Sequence, residues 1–218
     1  MILYLSIIVG AGIIIATLNS LFANFGISTL ATFGIVALAI VVSIALDALA
    51  GLLVRAIPSK KFNPFAKFFC ERKNERKFYE NLKIRKWKDV IPEMGKTLKF
   101  FDKTKIGDKP TAEHMYMFLV ETCYAEVMHL LGLFFGTFLL VILPFKYLLT
   151  ISLPVLLVNW FLQILPICVQ RYNRPKLSIA YKRLKKQEEK ASEEQQVQQF
   201  WAMGKVFLTK VCFANCKN

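Results

Sequence analysis

Basic residues are missing from most of this chain. No Lys or Arg precedes Arg55, and between Lys109 and Arg171 the only one is Lys146. Acidic residues are as scarce, with Asp47 alone in the first 54 positions. Long apolar runs fill these gaps, at about Ile2–Phe22, Ile27–Val54, Met115–Phe145 and Tyr147–Val169. A bilayer core takes roughly 20 apolar residues per helix, and a soluble domain of 218 residues has no room to bury four such runs. The fold class is therefore an all-α integral membrane protein with four transmembrane helices. The first run also lacks a basic n-region and is followed by no polar mature domain, so it reads as a span and not as a cleaved leader. The five cysteines, Cys70, Cys123, Cys168, Cys212 and Cys216, make no metal-ligand pattern. No metal, no bound cofactor and no disulfide is expected. Cys212 and Cys216, four apart, leave reversible palmitoylation open.

What charge there is has a clear distribution. Residues 55–109 carry 17 Lys/Arg against 7 Asp/Glu, and the segment from Arg171 onward carries 11 against 4. The turn near residues 23–26 has none, and the turn at Pro144–Lys146 has Lys146 alone. Positive-inside logic places the long loop and both termini in the cytoplasm. The excess charge suits anionic lipid headgroups. With no nucleic-acid recognition motif beside it, a nucleic-acid partner is not expected.

Four regions follow. Residues 1–54 form a transmembrane hairpin with spans at 2–22 and 27–54. Gly26, Gly34, Ala45, Ala48 and Gly51 are its candidates for close helix approach, and Asp47 is a candidate for lining a polar cavity near the inner leaflet, in a substrate-binding role. Residues 55–113 form a basic, amphipathic, partly helical cytoplasmic loop, broken by Pro58, Asn63 and Pro64 early and by Gly95, Gly107 and Pro110 late. From Phe65 to Trp87, aromatic and basic positions alternate at helical spacing. That is the pattern of a helix lying in the membrane interface, or of an amphipathic helix packed on the other spans. Residues 114–177 form a second hairpin, with spans at 115–145 and 147–169. Residues 178–218 form a charged helical tail that becomes a Glu/Gln-rich run.

Two constellations could carry chemistry. Glu121, Glu126 and His129 lie inside the third apolar run, where ionisable groups are expensive and therefore functional suspects. Glu126 and His129 are three apart and share a helix face. A carboxylate that raises and orients an imidazole suits a general base acting on an alcohol, and Glu121 could line the same cavity. The second constellation is Gln170-Arg171-Tyr172-Asn173-Arg174, where the last apolar run ends. Arg171 and Arg174 are spaced so that both guanidiniums can converge on one phosphate or carboxylate. Snorkelling alone does not call for the neighbouring amides and tyrosine. Asn159, Trp160, Gln163 and a kink-prone Pro166 lie in the span before it.

Glu121-Thr122…Ala125-Glu126…His129, followed by Gln170-Arg171-Tyr172-Asn173-Arg174-Pro175-Lys176-Leu177, resembles the glycosyl-4,4'-diaponeurosporenoate acyltransferase family, small bacterial membrane proteins of carotenoid glycolipid synthesis. Glu75…Phe78-Tyr79…Ile84-Arg85-Lys86-Trp87-Lys88-Asp89…Pro92 agrees with it, so the resemblance covers roughly Arg72–Leu177. It implies transfer of a fatty acyl group from a thioester donor, acyl-CoA or acyl-carrier protein, to a sugar hydroxyl of a lipid or glycolipid acceptor. The implied place is the bacterial cytoplasmic membrane, and the implied site is Glu121, Glu126, His129, Gln170, Arg171, Asn173 and Arg174. In that reading His129, oriented by Glu126, deprotonates the acceptor. Arg171 and Arg174 hold the donor's phosphates or the developing charge, and Trp87 presses the loop over the cavity as a lid or donor platform. A small methyltransferase using S-adenosylmethionine, or a non-catalytic lipid-binding accessory protein, would use the same polar groups differently.

Overall fold

The computed structural model describes residues 2–23, 25–91 and 111–215, with side chains as far as Trp201. The chain breaks expected at Gly95, Gly107 and Pro110, and the side chains of Cys212 and Cys216, lie outside the described residues. Those residues are helical throughout their regular structure, with no strand among them. Four helical stretches are long and apolar enough to cross a bilayer: Ile2–Phe22, Thr29–Arg55, Ala112–Ile142 and Phe145–Trp201. The chain is a multi-pass membrane protein on that composition.

Helices α1 (Ile2–Phe22) and α2 (Thr29–Arg55) are joined by a turn in which Gly26 has φ +66°, a backbone state that costs a residue with a Cβ. Ser28 starts α2, its Oγ accepting from the Ala31 N–H at 3.2 Å, as an N-cap does. Thr111 does the same for α5 (Ala112–Gly136), accepting from the His114 N–H at 3.2 Å. The third apolar run then breaks and resumes as the short α6 (Leu139–Ile142), ending at an extended Leu143, the conformation that a following proline imposes. The last helix, α7 (Leu153–Asn215), runs through Pro166 and Pro175 without stopping. The Gln170–Arg174 motif therefore lies inside a continuous helix, not after the end of one.

Partners along the helices run in opposite directions. On α5 and α7, Glu126 meets Arg171, His129 meets Gln163 and the Leu133 carbonyl meets Trp160. On α2 and α5, Arg55 meets Glu121 and Gly51 meets Met128. Tyr4 on α1 reaches Leu162, and Asn19 reaches Thr150. Successive spans are thus antiparallel. The start of α1, the end of α2, the start of α5 and the middle of α7 share one end, called here the basic end. The α5–α7 pair is the most extensive contact, followed by α2–α5.

Two of these contacts fall where the helical ladder of the last span is irregular. Pro166 has no N–H to give the Leu162 carbonyl, and the Tyr4 hydroxyl donates to that carbonyl at 3.3 Å. The wider Leu148–Ser152 turn bonds i to i+5, and Asn19 Nδ2 donates to the Thr150 carbonyl within it at 2.8 Å.

The loop departs from the single amphipathic helix expected over Phe65–Trp87. It holds two short helices, α3 (Glu75–Asn81) and α4 (Ile84–Trp87). Each is preceded by a residue in the left-handed region, Asn74 at φ 67° and Lys83 at φ 51°, and a helix cannot run through such a residue. Ahead of them, Asn63 Oδ1 accepts from the Phe65 N–H at 3.0 Å and sets a turn. Of the expected small residues on α2, Gly51 does allow a close approach, to Met128, but the seam otherwise runs elsewhere. Gly34, Ala45 and Ala48 are exposed, whereas Thr32, Val36, Ala39, Ser43, Ala50 and Val54 are buried. Asp47 lies four residues after Ser43 and three before Ala50, on the packed stripe.

Candidate functional site

The site is built in layers along α5 and α7, starting at the basic end. Arg171 and Arg174, one turn apart on α7, both reach the same carboxylate. Arg171 Nη1 donates to Glu126 Oε1 at 2.6 Å, and Arg174 Nη1 pairs with Glu126 Oε2 at 2.5 Å. Arg171 also grips Glu75 of α3, through Nε to Oε1 and through Nη2 to Oε2 at 3.0 Å. Glu126 and Arg174 are almost fully buried, at 2% and 4% side-chain exposure, so the two charges stand or fall together.

The loop carbonyls complete the arginines. Arg171 donates to the carbonyls of Phe68 and Cys70, and Arg174 to that of Phe69 at 3.1 Å. Arg174 further donates to Thr122 Oγ1 and to the Thr122 carbonyl, both at 2.9 Å. Every one of the five N–H groups of Arg171 is thereby engaged. Glu75 accepts in addition from the Arg72 N–H and the Tyr79 hydroxyl, each at 2.8 Å. Burial works against its charge. The bonds from Arg171, Arg72 and Tyr79 outweigh it and hold the carboxyl at about 2. Burial, and the Glu75 acceptor after it, push the Tyr79 phenol well above its usual range.

Glu121 belongs to a different contact. Arg55, closing α2, binds it bidentately at 2.9 and 2.7 Å and also lies over the Tyr124 ring. The Tyr124 hydroxyl donates to the Ile57 carbonyl. This cluster ties the end of α2 to α5, and Glu121 does not join His129.

His129 lies one turn deeper than Glu126. The expected Glu126–His129 pairing is replaced: the carboxylate is taken by Arg171 and Arg174, while His129 Nδ1 meets Gln163 Oε1 at 2.5 Å. The reason is geometric. Residues three apart on a helix differ by about 60° in direction, and the two α7 partners stand two turns apart. Asp47 joins this deeper layer. Its Oδ2 accepts from Asn159 Nδ2 at 3.1 Å, and the same amide donates to Ser43 Oγ at 2.6 Å. Gly132 lets the helices close here, because a β-carbon on it would lie 3.0 Å from Gln163 Nε2 and 3.1 Å from Asp47 Oδ1.

The rest of the motif faces the loop. Tyr172 is buried and accepts from Arg85 Nε at 2.9 Å, with Lys176 over its ring. Trp87 packs against the cluster of Tyr79, Ile84, Ile91, Val169 and Tyr172, its indole N–H on the Leu82 carbonyl at 3.0 Å. Asn173 lines a cleft of about 270 Å³ with Lys88, Lys176 and Phe118. Gln170 is half-buried on the same helix. Among the described residues no group of three His, Cys, Asp or Glu is placed to hold a metal.

Glu75, Thr122, Arg55 and Gln163 were not among the expected site residues. Gln163 and Asn159 had a signal: two amides at i,i+4 inside an apolar run, mirrored by Ser43 and Asp47 at the same spacing on α2. Glu75 stood in the loop segment that resembles the family, but its partnership with Arg171 is shown by the fold alone.

A sequence model of the glycosyl-4,4'-diaponeurosporenoate acyltransferase family matches residues 58–183. That stretch contains Glu75, Glu126, His129, Gln163, Arg171 and Arg174, and leaves out the first hairpin with Ser43, Asp47 and Arg55. Searches of the curated proteins and of the solved structures gave no match.

Proposed function

This chain belongs to the glycosyl-4,4'-diaponeurosporenoate acyltransferase family, and from that premise we propose that it moves a fatty acyl group from a thioester donor, acyl-CoA or acyl-carrier protein, to a hydroxyl of a lipid or glycolipid at the cytoplasmic face of a bacterial membrane. The observation that carries the reading is the imidazole of His129, fixed by Gln163 at 2.5 Å in the polar layer that also holds Asp47 and Asn159, inside the apolar spans. A proton acceptor in such a place is costly to keep and has no packing purpose that Leu would not serve better.

The step is an acyl transfer. The acceptor oxygen attacks the thioester carbonyl while His129 takes the hydroxyl proton. The C–O bond forms and the C–S bond breaks. The proton then passes to the departing thiolate, so that an ester and a free thiol result. General-base help of this kind contributes about 10²–10⁴-fold. Arg171 and Arg174 act as positioning residues: with their donors committed to Glu75, Glu126 and the loop carbonyls, they clamp the loop onto α5 and α7. The cleft lined by Asn173, Lys176 and the Lys88–Asp89 pair, joined at 2.9 Å, is where we place a polar head, with Trp87 holding the loop beside it.

Mass spectrometry of total lipids from cells with and without the protein tests this. We expect a lipid heavier by one fatty acyl group only with the intact chain, and its loss in His129→Ala at unchanged expression. Normal acylation by His129→Ala would remove the base assignment. A gain of methyl groups instead would identify a methyltransferase, and lipid retained without turnover would identify a binding protein.

A further inference from the structure

We infer that Asp47 and Gln163 form a tautomer lock on His129, making Asp47 a positioning residue that the matched family stretch does not contain. The inference rests on the proposed role of His129 as base. A carboxamide has one accepting and one donating end, and nothing intrinsic decides which faces a neighbour. Gln163 stands between two groups. Its Oε1 meets His129 Nδ1 at 2.5 Å, while its Nε2 and Asp47 Oδ1 lie on either side of the place of Gly132's missing β-carbon, 3.0 and 3.1 Å from it, with no hydrogen bond between them.

Asp47 decides the direction. Its Oδ2 is already an acceptor, taking the Asn159 amide N–H, and its Oδ1 is buried with no donor in hydrogen-bond geometry. An acceptor-only carboxylate favours the NH₂ end of Gln163 and disfavours the carbonyl end. That orientation turns the carbonyl to His129, as observed, and a carbonyl there calls for Nδ1 as the protonated nitrogen that donates, which leaves the Nε2 lone pair to take a proton. The Asn159 bond to Ser43 holds Asp47 from the other side. Three helices thus contribute: Ser43 and Asp47 from α2, His129 and Gly132 from α5, and Asn159 and Gln163 from α7. The logic is that of a carboxylate fixing a catalytic imidazole, transmitted here through an amide.

The chain has two histidines, His114 and His129, so His114→Gln leaves a single reporter. The experiment is nitrogen NMR of histidine-labelled His114→Gln protein in lipid bilayers, at a pH where the ring is neutral, beside lipid acylation by the same samples. We expect His129 in the Nδ1–H form. Adding Asp47→Ala should shift it to the commoner Nε2–H form and lower turnover by about 10²-fold. The isosteric Asp47→Asn, which lets the amide turn, should give a mixture of both forms. An Nε2–H ring in the Asp47-containing protein, or an Nδ1–H ring that survives both substitutions, would overturn the lock. The expected tautomers with unchanged acylation would leave the lock standing and remove the proposed role of His129.

Discussion

Arg171 engages two carboxylates and two carbonyls with one planar guanidinium. A lysine has three N–H groups on a single point and cannot reproduce that fork. Arg171→Lys should therefore release the loop although the charge is kept, lowering the thermal unfolding temperature in detergent. Glu126→Ala should cost more. It takes the paired carboxylate from Arg174 in a nearly closed site and leaves Arg171 with Glu75, and breaking such a buried pair costs about 3–5 kcal/mol. Intrinsic fluorescence melts of the two variants beside the parent check the order. A Glu126→Ala protein melting with the parent would mean that the buried ion pairs contribute nothing. The convergence of the two arginines was legible from their i,i+3 spacing. That they would converge on Glu126, and so take it from His129, was not legible, because it depends on the register of α5 against α7.

At the scale of elements, Gly132 on α5 is where polar side chains of α2 and α7 crowd the backbone. Gly132→Ala places a methyl against Gln163 and Asp47, whereas at Gly34 a β-carbon meets nothing within 4 Å. Acylation should fall strongly in Gly132→Ala and stay near the parent level in Gly34→Ala, measured on equal amounts of purified protein. Equal activity in both would mean that the deep polar layer tolerates displacement. The four apolar helices could be read directly, since their signal is composition over about 20 residues. Of the expected α2 seam, Gly51 packs on α5 while Gly34, Ala45 and Ala48 face outward, because small residues are spread all round the helix and only packing distinguishes Ala50 from Ala48. The loop was read as one helix because aromatic spacing is visible in sequence. The left-handed Asn74 and Lys83 that break it are not, lysine least of all.

Across the whole molecule, α7 connects the layers. Gln163 and Asn159 serve the deep layer, Arg171 and Arg174 the ion-pair layer, and Tyr181 packs on Phe65 of the loop and Tyr116 of α5. Farther on, Glu188 Oε1 accepts from the Ala112 N–H at 2.7 Å, an anion at a helix start, so the charged helical tail touches the bundle. Loop docking should depend on pH through Glu75. Its carboxyl is held at about 2 against an ordinary 4.5, so its contribution is complete above 4.5 and is lost as the pH falls toward 2. Limited proteolysis of the loop by an acid-active protease should quicken across that window, and Glu75→Gln should be cut readily on both sides of it.

The most direct test of acyl transfer uses the purified protein in bilayers made from the native lipid extract, given a thioester donor carrying a labelled fatty acyl group. The expected result is label in a lipid, released by mild alkali as from an ester, with the parent protein and not with His129→Ala. Label that stays on the thioester or emerges only as free fatty acid, whichever of acyl-CoA and acyl-carrier protein is supplied, would contradict it.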